Sequence, residues 1–567
     1  MKWNLDCFLP LSVEKSIRSL ADRISQLDFL NPAVFFKDLE ACDLELRELT
    51  ALGHCLQAQN VQDEKASPLI AIASQLDADY QSVLHKFDEW LHHFDEVAFT
   101  QLIQSPHGSP IAFFLKERRA LVREKLSAAM EGLISTLAID GLHGWNQMYS
   151  ECVGRLKLDG LSMGQAENRL GSPDRDVRQV TFRDLGKIWK EQESIFAQVL
   201  NHLSGFRLKI YEKRGWSDFL KEPLIENRMT HQTLQVMWDC VEKHKAPFVH
   251  FLGLKANLLN VKKLSWADVE APFLPGDGDK IAYSDACALI VEQFGSFSPN
   301  MAAFADKAFK DQWVEAEDRP NKAAGGFCVA FPKSKESRIF MTYSGTASNV
   351  ATLAHELGHA YHNHMVEKAP SPYQNYKMNI AETASTFAEM LVIDSLLKKA
   401  SSKQEKLALL SNKIQRSVVF LMNIHARFLF ECALYERRKM GFVSASELSA
   451  LMLDAQKKAF KDQLDEYHPH FWVSKMHFYI SELPFYNFPY TFGYLFSLGL
   501  YAKAQAIGSA FADQYDALLR DSGQMSIEDL AEKHLKVDLT KKEFWDSALK
   551  VAIADVEAFL ELGIVKQ

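Results

Sequence analysis

A sustained apolar rhythm at three- and four-residue steps is the feature that most restricts this chain. Val13, Ile17, Leu20, Ile24 and Leu27 recur at helical spacing with charge between them, and similar patterning runs through residues 87–102, 111–137 and 180–203. Only 26 Gly and 18 Pro punctuate 567 residues, too little turn chemistry for many short strands, so the expected fold is mainly α-helical. No fixed-period repeat, low-complexity tract or long like-charge run breaks the pattern. A prior of about 150 residues per domain would give three or four units. Whether the chain is several domains or one large helical body stays open at this level. The stretch Glu270-Ala-Pro-Phe-Leu-Pro-Gly-Asp-Gly-Asp279 serves equally as a linker or as an exposed loop.

Charge and cysteine usage remove whole classes of function. The balance of 64 Lys+Arg against 73 Asp+Glu gives a net charge of −9, with no basic stripe for nucleic acid. No run reaches the 18 or so uninterrupted apolar residues of a membrane span, and the start, Met1-Lys2-Trp3-Asn4-Leu5-Asp6, lacks a basic and then apolar leader. Eight scattered cysteines without a CxxC pair read as reduced, mostly buried thiols. The expectation is a cytoplasmic protein with no nucleic-acid or membrane partner.

One segment departs from helix. Phe327-Cys-Val-Ala-Phe331 and Arg338-Ile-Phe-Met-Thr-Tyr343 are β-favouring runs joined by polar residues 332–337, which predicts a hairpin. It is either a small stabilising sheet or an edge that holds an extended peptide by main-chain hydrogen bonds.

The chemistry concentrates just beyond it, in Ala351-Thr-Leu-Ala-His-Glu-Leu-Gly-His-Ala-Tyr-His-Asn-His364. His355 and His359 stand at i and i+4 on one helical face, so both imidazoles reach one metal ion, and zinc suits such nitrogen ligands. Glu356 sits where its carboxylate can act as general base on a water at the metal. A chance HExxH has a probability on the order of a few per cent, so paired surface histidines remain the alternative until a third ligand is found. His362 lies two turns from His355 and does not share its face. Residue 362 is His and 365 is Met, where the metzincin pattern needs Gly and His. A glutamate from a second helix remains. After Pro370-Ser-Pro372, the helical run from Asn379 through Glu389 carries Glu382 and Glu389 on one stripe amid Ile380, Ala381, Ala384, Phe387 and Ala388. Glu382 is the expected third ligand and Glu389 the carboxylate that orients a ligand histidine. Downstream, Tyr486, Tyr490 and Tyr494 recur every four residues, with Pro489 disturbing a simple helix, and His477 precedes them. Such a stripe is either apolar core or a source of phenols for a developing oxyanion.

These residues resemble the oligoendopeptidase F branch of the thimet-oligopeptidase-like zinc metallopeptidases. The resemblance rests on His355-Glu-Leu-Gly-His-Ala-Tyr-His362, Ala381-Glu-Thr-Ala-Ser-Thr-Phe-Ala-Glu389 and Pro484-Phe-Tyr-Asn-Phe-Pro-Tyr490, with Gly325-Gly-Phe-Cys328 and Thr342-Tyr-Ser-Gly345 upstream. It covers most of residues 110–567. It implies two helical halves flanking a deep channel that admits short unstructured peptides, with one zinc ion held by His355, His359 and Glu382. It implies Glu356 as general base, and Tyr486, Tyr490, Tyr494 and His477 as candidates for transition-state stabilisation. Phe340, Thr342, Tyr343 and Gly345 would bind substrate, with the hairpin strand at 338–343 pairing with the extended peptide. The implied organisation is a helical region at 1–110, a second helical domain at 111–200 and the zinc peptidase domain at 201–567, compatible with a monomer. The chain departs from the branch in Ala388, where Asn commonly precedes the second Glu, and in Phe488-Pro489. The expected activity is hydrolysis of internal bonds in oligopeptides. A zinc carboxypeptidase and a non-catalytic peptide-binding protein are the alternatives.

Overall fold

The N-terminal apolar rhythm becomes helix Val13–Ser25, whose Leu20 and Ile24 join a core shared with helices Pro32–Gln59 and Ala66–His92. Phe29, Phe35, Phe87 and Trp90 fill that core with ring centroids 4.8 to 6.1 Å apart, the spacing of offset and edge-on aromatic pairs. The computed structural model describes residues 2–8, 13–274 and 280–563. Helices carry 73% of the residues, with five short strands in a two-stranded and a three-stranded sheet. All eight cysteines are free, but only three are buried, and Cys7 is exposed. The loop-like stretch opens as irregular chain after Val269, and its residues 275–279 lie outside the described residues. The helical path 403–439 is long and apolar enough to cross a membrane, although never uninterrupted, and 67% of its apolar window is buried within the protein.

Two compact units interleave along the chain. The first comprises Met1–Lys125, Asp277–Lys398 and Leu500–Lys536; the second comprises Leu126–Gly276, Lys399–Gly499 and Val537–Gln567. Each is assembled from segments hundreds of residues apart.

In the first unit a sheet of order β3-β5-β4 forms from β3 (Val314–Glu315), β4 (Phe327–Phe331) and β5 (Glu336–Phe340). The predicted hairpin is β4 and β5, antiparallel, with Phe327 opposite Phe340 and Phe331 opposite Glu336. Alternation along the strands sends Phe331 and Phe340 towards helix Pro32–Gln59, into a cluster with Trp3, Leu52 and Cys55. Cys328 and Ser337 face the other way, where Asn363 of helix Ala347–Val366 donates to both. The expectation of a peptide-holding edge at 338–343 is corrected here. β5 is the central strand, paired in parallel with β3 through Val314–Ile339 and Glu315–Phe340, and the Met341 and Tyr343 amides donate to Glu315 and Ala316. Its main-chain groups are spent within the sheet. The edges are β3 and β4, and β4 pairs only with β5 among the described residues.

The second unit is built around the 40-residue helix Arg175–Arg214, capped by Asp174 and closed by Gly215 in the left-handed region. Arg178, fully buried, is paired with Asp268 at 2.9 Å and donates to the Ser172 and Pro173 carbonyls. The other sheet, β1 (Lys157–Leu158) with β2 (Leu161–Ser162), turns through Asp159-Gly160, both at positive φ, as the two-residue hairpin turn requires.

Candidate active site

The site begins where β5 leaves the sheet. Gly345, at φ +91°, swings the chain into helix Ala347–Val366, a conformation that favours glycine. Thr346 caps the helix by accepting from the Asn349 amide at 3.1 Å, while the Asn349 side chain accepts from Ser344 and Thr346. This helix bears His355, Glu356 and His359. Past the prolines, helix Met378–Lys399 brings Glu382 and Glu389 against it.

Gly358 decides how close the two helices come. A Cβ there would lie 2.5 Å from the Ala384 carbonyl oxygen and 2.6 Å from Ser385 Cα, so only glycine permits the crossing. Ala381, Ala384, Ser385 and Ala388 make the facing stripe small as well. A mid-helix glycine costs about 1 kcal/mol of helix propensity, and here that cost secures backbone contact.

The contact brings His355, His359 and Glu382 together, with one ligand atom of each within 4.8 Å of the others. Glu382 Oε2 lies 3.3 Å from His355 Nε2 and 3.6 Å from His359 Nε2, and accepts from Ser385 Oγ at 3.0 Å. Glu389 Oε2 lies 3.3 Å from His355 Nδ1, which holds that nitrogen as donor and leaves Nε2 for a ligand. Burial, aided by the neighbouring His355, lowers His359 to about 4. Burial would raise Glu382, but its contacts with His355, His359 and Ser385 outweigh it and hold the carboxyl at about 2. A neutral imidazole and an ionised carboxylate are the states in which these groups bind metal.

Glu356 is buried and held at about 7 by that burial. Its Oε2 has no hydrogen-bond partner, and its Oε1 lies 3.5 Å from where a Gly326 Cβ would stand, at the entry to edge strand β4. His362 is spent elsewhere: its Nε2 meets Ser522 Oγ at 2.8 Å and its ring stacks on Tyr376. Gly358, Ser385 and Gly326 escaped the sequence reading, although a glycine inside a helical run is itself a signal of close approach.

Among the expected substrate residues, Phe340, Tyr343 and Gly345 are buried and Thr342 is exposed. The Tyr343 hydroxyl is committed to the Ile281 carbonyl at 3.0 Å.

The tyrosine segment belongs to the second unit, and its helical-stripe reading is corrected. Tyr486 sits in a turn, and helix Phe488–Ile507 starts after it, so Pro489 occupies a first turn that tolerates it. His477, Tyr486 and Tyr490 form a cluster with centroids 5.5, 6.4 and 6.0 Å apart. Tyr494 stands apart from it: it is buried, stacked on Phe420 at 4.7 Å, and shares a 2.7 Å hydrogen bond with Ser417. Burial and the charges of Arg427 and Lys475 lower His477 to about 4, and its buried Nδ1 has no partner.

A two-histidine, one-carboxylate set beside a buried, unpartnered carboxylate has the composition of a hydrolytic metal centre. Comparison with known proteins agrees. Residues 297–551 match the sequence model of peptidase family M3 and residues 90–157 that of Oligopeptidase F, together more than half of the chain. Oligopeptidase PepF of Bacillus subtilis is 24% identical over 413 residues, a match spanning 71% of this chain and 60% of that one. A crystal structure from Chlamydophila abortus superposes with TM-score 0.85 at 19% identity, covering 99% of this chain and 98% of that one. Oligoendopeptidase-F from Enterococcus faecium superposes with TM-score 0.72 at 18% identity, covering 97% and 98%. The chain belongs to peptidase family M3, a family of metallopeptidases. Within it, the chain falls in the oligoendopeptidase F branch.

Proposed function

We propose that the protein is a zinc endopeptidase that hydrolyses internal bonds of short, unstructured oligopeptides. What carries the reading is the convergence of His355, His359 and Glu382 beside the unpartnered Glu356 carboxylate. The donor set suits zinc: two imidazole nitrogens and one carboxylate oxygen, with Glu389 fixing the tautomer of His355. When bound, zinc supplies Lewis acidity to the scissile carbonyl and to the attacking water.

The rest of the chemistry falls to the chain. Glu356 accepts a proton from the attacking water and returns it to the leaving amine. The unpaired side of β4 offers main-chain donors and acceptors to an extended peptide, and Gly326 leaves room beside the Glu356 carboxylate. We assign hydrogen-bond donation to the oxyanion to the phenols of Tyr486 and Tyr490.

The test uses an internally quenched peptide blocked at both ends, with metal content measured in parallel. The wild-type protein should carry one zinc and cleave internally. Glu356→Gln should keep the zinc and lose about 10²- to 10⁴-fold in turnover. Equal activity of Glu356→Gln would sink the mechanism. Removal of single C-terminal residues only would make the protein a carboxypeptidase, and binding without cleavage a peptide-binding protein.

A further inference from the structure

Arg427 is the charged group of the second unit that the proposed reaction leaves unused. It stands on helix Ile424–Lys439, just after a π-helical turn at Val419–Asn423. That turn presents Asn423, whose Oδ1 accepts from Arg427 Nε at 2.9 Å. Asn487, in the turn beside Tyr486, accepts from Nη1 at 3.0 Å. Phe471 packs under the guanidinium with its centroid 5.2 Å from Cζ. The planar group is therefore held from three sides in a fixed orientation.

Its charge lacks a counterpart. No carboxylate lies within salt-bridge distance of Arg427 among the described residues. The carboxylates whose charge reaches it, Glu270 most strongly and then Glu431 and Glu167, form no contact ion pair with it, and Glu431 spends its oxygens on the Phe485 amide at 3.1 Å and the Asn487 amide at 3.4 Å. Glu167 lies 3.6 Å from Lys475 instead. Lys475 shares the Phe471 ring with Arg427, its Nζ 5.4 Å from the centroid, so two cations stand against one aromatic ring in a chain of net charge −9. Nη2 makes no hydrogen bond among the described residues and is not fully sealed from solvent. A half-buried guanidinium normally has a carboxylate partner. One with a clamped plane and a free, incompletely sealed nitrogen is organised to receive one from a ligand. The His477 Nδ1 lacks a partner nearby, and Tyr490 is within the reach of the Arg427 charge.

We propose that Arg427 is a subsite for a carboxylate of the bound peptide, its C-terminal carboxylate or an acidic side chain. The inference takes from the preceding section only that the ligand is a peptide. It makes Arg427 a specificity determinant, because a peptide would gain affinity from where its negative charge falls.

The experiment measures binding of fluorescent octapeptides to full-length, zinc-loaded Glu356→Gln protein, which separates binding from cleavage. One peptide has a free C-terminus, its twin a C-terminal amide, and a second pair exchanges Glu for Gln within the sequence. Loss of the recognised carboxylate should weaken binding about 10- to 100-fold. Adding Arg427→Gln should abolish that ratio, while Arg427→Lys should keep part of it. The acid–amide pair reports the C-terminal source and the Glu–Gln pair the side-chain source. Equal affinities across both pairs, no binding of any peptide, or a ratio that survives Arg427→Gln overturns the proposal. The ratio on the Arg427-intact protein decides the matter even if Arg427→Gln folds poorly. Hydrolysis by the wild-type chain is read separately, so its absence would remove the peptidase reading and leave Arg427 to the binding ratios.

Discussion

The candidate metal residues and the tyrosine turn hold their side chains in opposite ways. In the first unit, small residues do it: Gly358 lets its helix touch the backbone at Ala384 and Ser385, and the ligands follow from helix geometry. In the second unit, buried polar groups do it. Glu431 accepts from the Phe485 amide in a turn whose Phe485 sits at φ +56°, Asn487 bridges Glu431 and Arg427, and the Thr491 hydroxyl donates to the Phe420 carbonyl of the π-helical turn. Backbone contact is rigid but intolerant of added volume. A hydrogen-bonded brace tolerates volume but depends on protonation state.

Gly358→Ala is the severest way to break the comparison. The added Cβ meets backbone, so about 1–3 kcal/mol of stability should be lost, together with metal affinity. Gly186→Ala serves as the opposite-sign control: nothing lies within 4 Å of its Cβ in helix Arg175–Arg214, and the change should stabilise by about 0.5–1 kcal/mol. Thermal unfolding with metal analysis reads both, and an unharmed Gly358→Ala would refute the close-contact account. Glu389→Ala should come next. It releases His355 Nδ1 and should weaken metal binding about 10- to 100-fold, read by chelator competition, with little change in fold.

The brace is probed by pH. Burial raises the Glu431 carboxyl to about 7, above its ordinary value near 4.5. The folded protein therefore holds this proton where the unfolded chain releases it, and the group's contribution to stability falls as pH rises from about 4.5 through about 7. Glu431→Gln mimics the neutral form, so its stability relative to wild type should improve across that window in denaturant titrations. A constant difference from pH 5 to 8 would contradict the neutral-carboxyl brace. The smallest effect is expected at Tyr494, whose hydroxyl is engaged by Ser417. Tyr494→Phe should cost about 0.5–1.5 kcal/mol of stability and leave turnover unchanged; a large fall in turnover would return Tyr494 to the chemistry.

How much was legible follows the same division. The i, i+4 histidines, Glu356 and the glutamate pair seven apart were readable because helical periodicity fixes which side chains share a face, and the proline break announced the second helix. The β4–β5 hairpin was readable from its β-favouring runs, but the two residues of β3 gave no periodicity to detect. The edge was therefore assigned to the wrong strand. The Asp159-Gly160 turn carried a recognisable hairpin signal, yet its strands are only two residues long. Tyr486, Tyr490 and Tyr494 look equivalent at four-residue spacing. The helix start at Phe488 leaves Tyr486 outside the helix, and the packing of Tyr494 against Phe420 and Ser417 takes it out of the cluster.

By itself, then, the sequence determined what local rules govern: helical character, the facing of His355 and His359, and the set of carboxylates able to complete a metal site. The tertiary structure decided what depends on distant segments. It made β5 central and β4 an edge, drew Asp516 and Ser522 onto Tyr361 and His362, and interleaved two units from six stretches of chain. It also left Arg427 clamped by two asparagines without an acidic partner. Such outcomes turn on which groups lose water together, and no periodicity in one segment records the burial that another supplies.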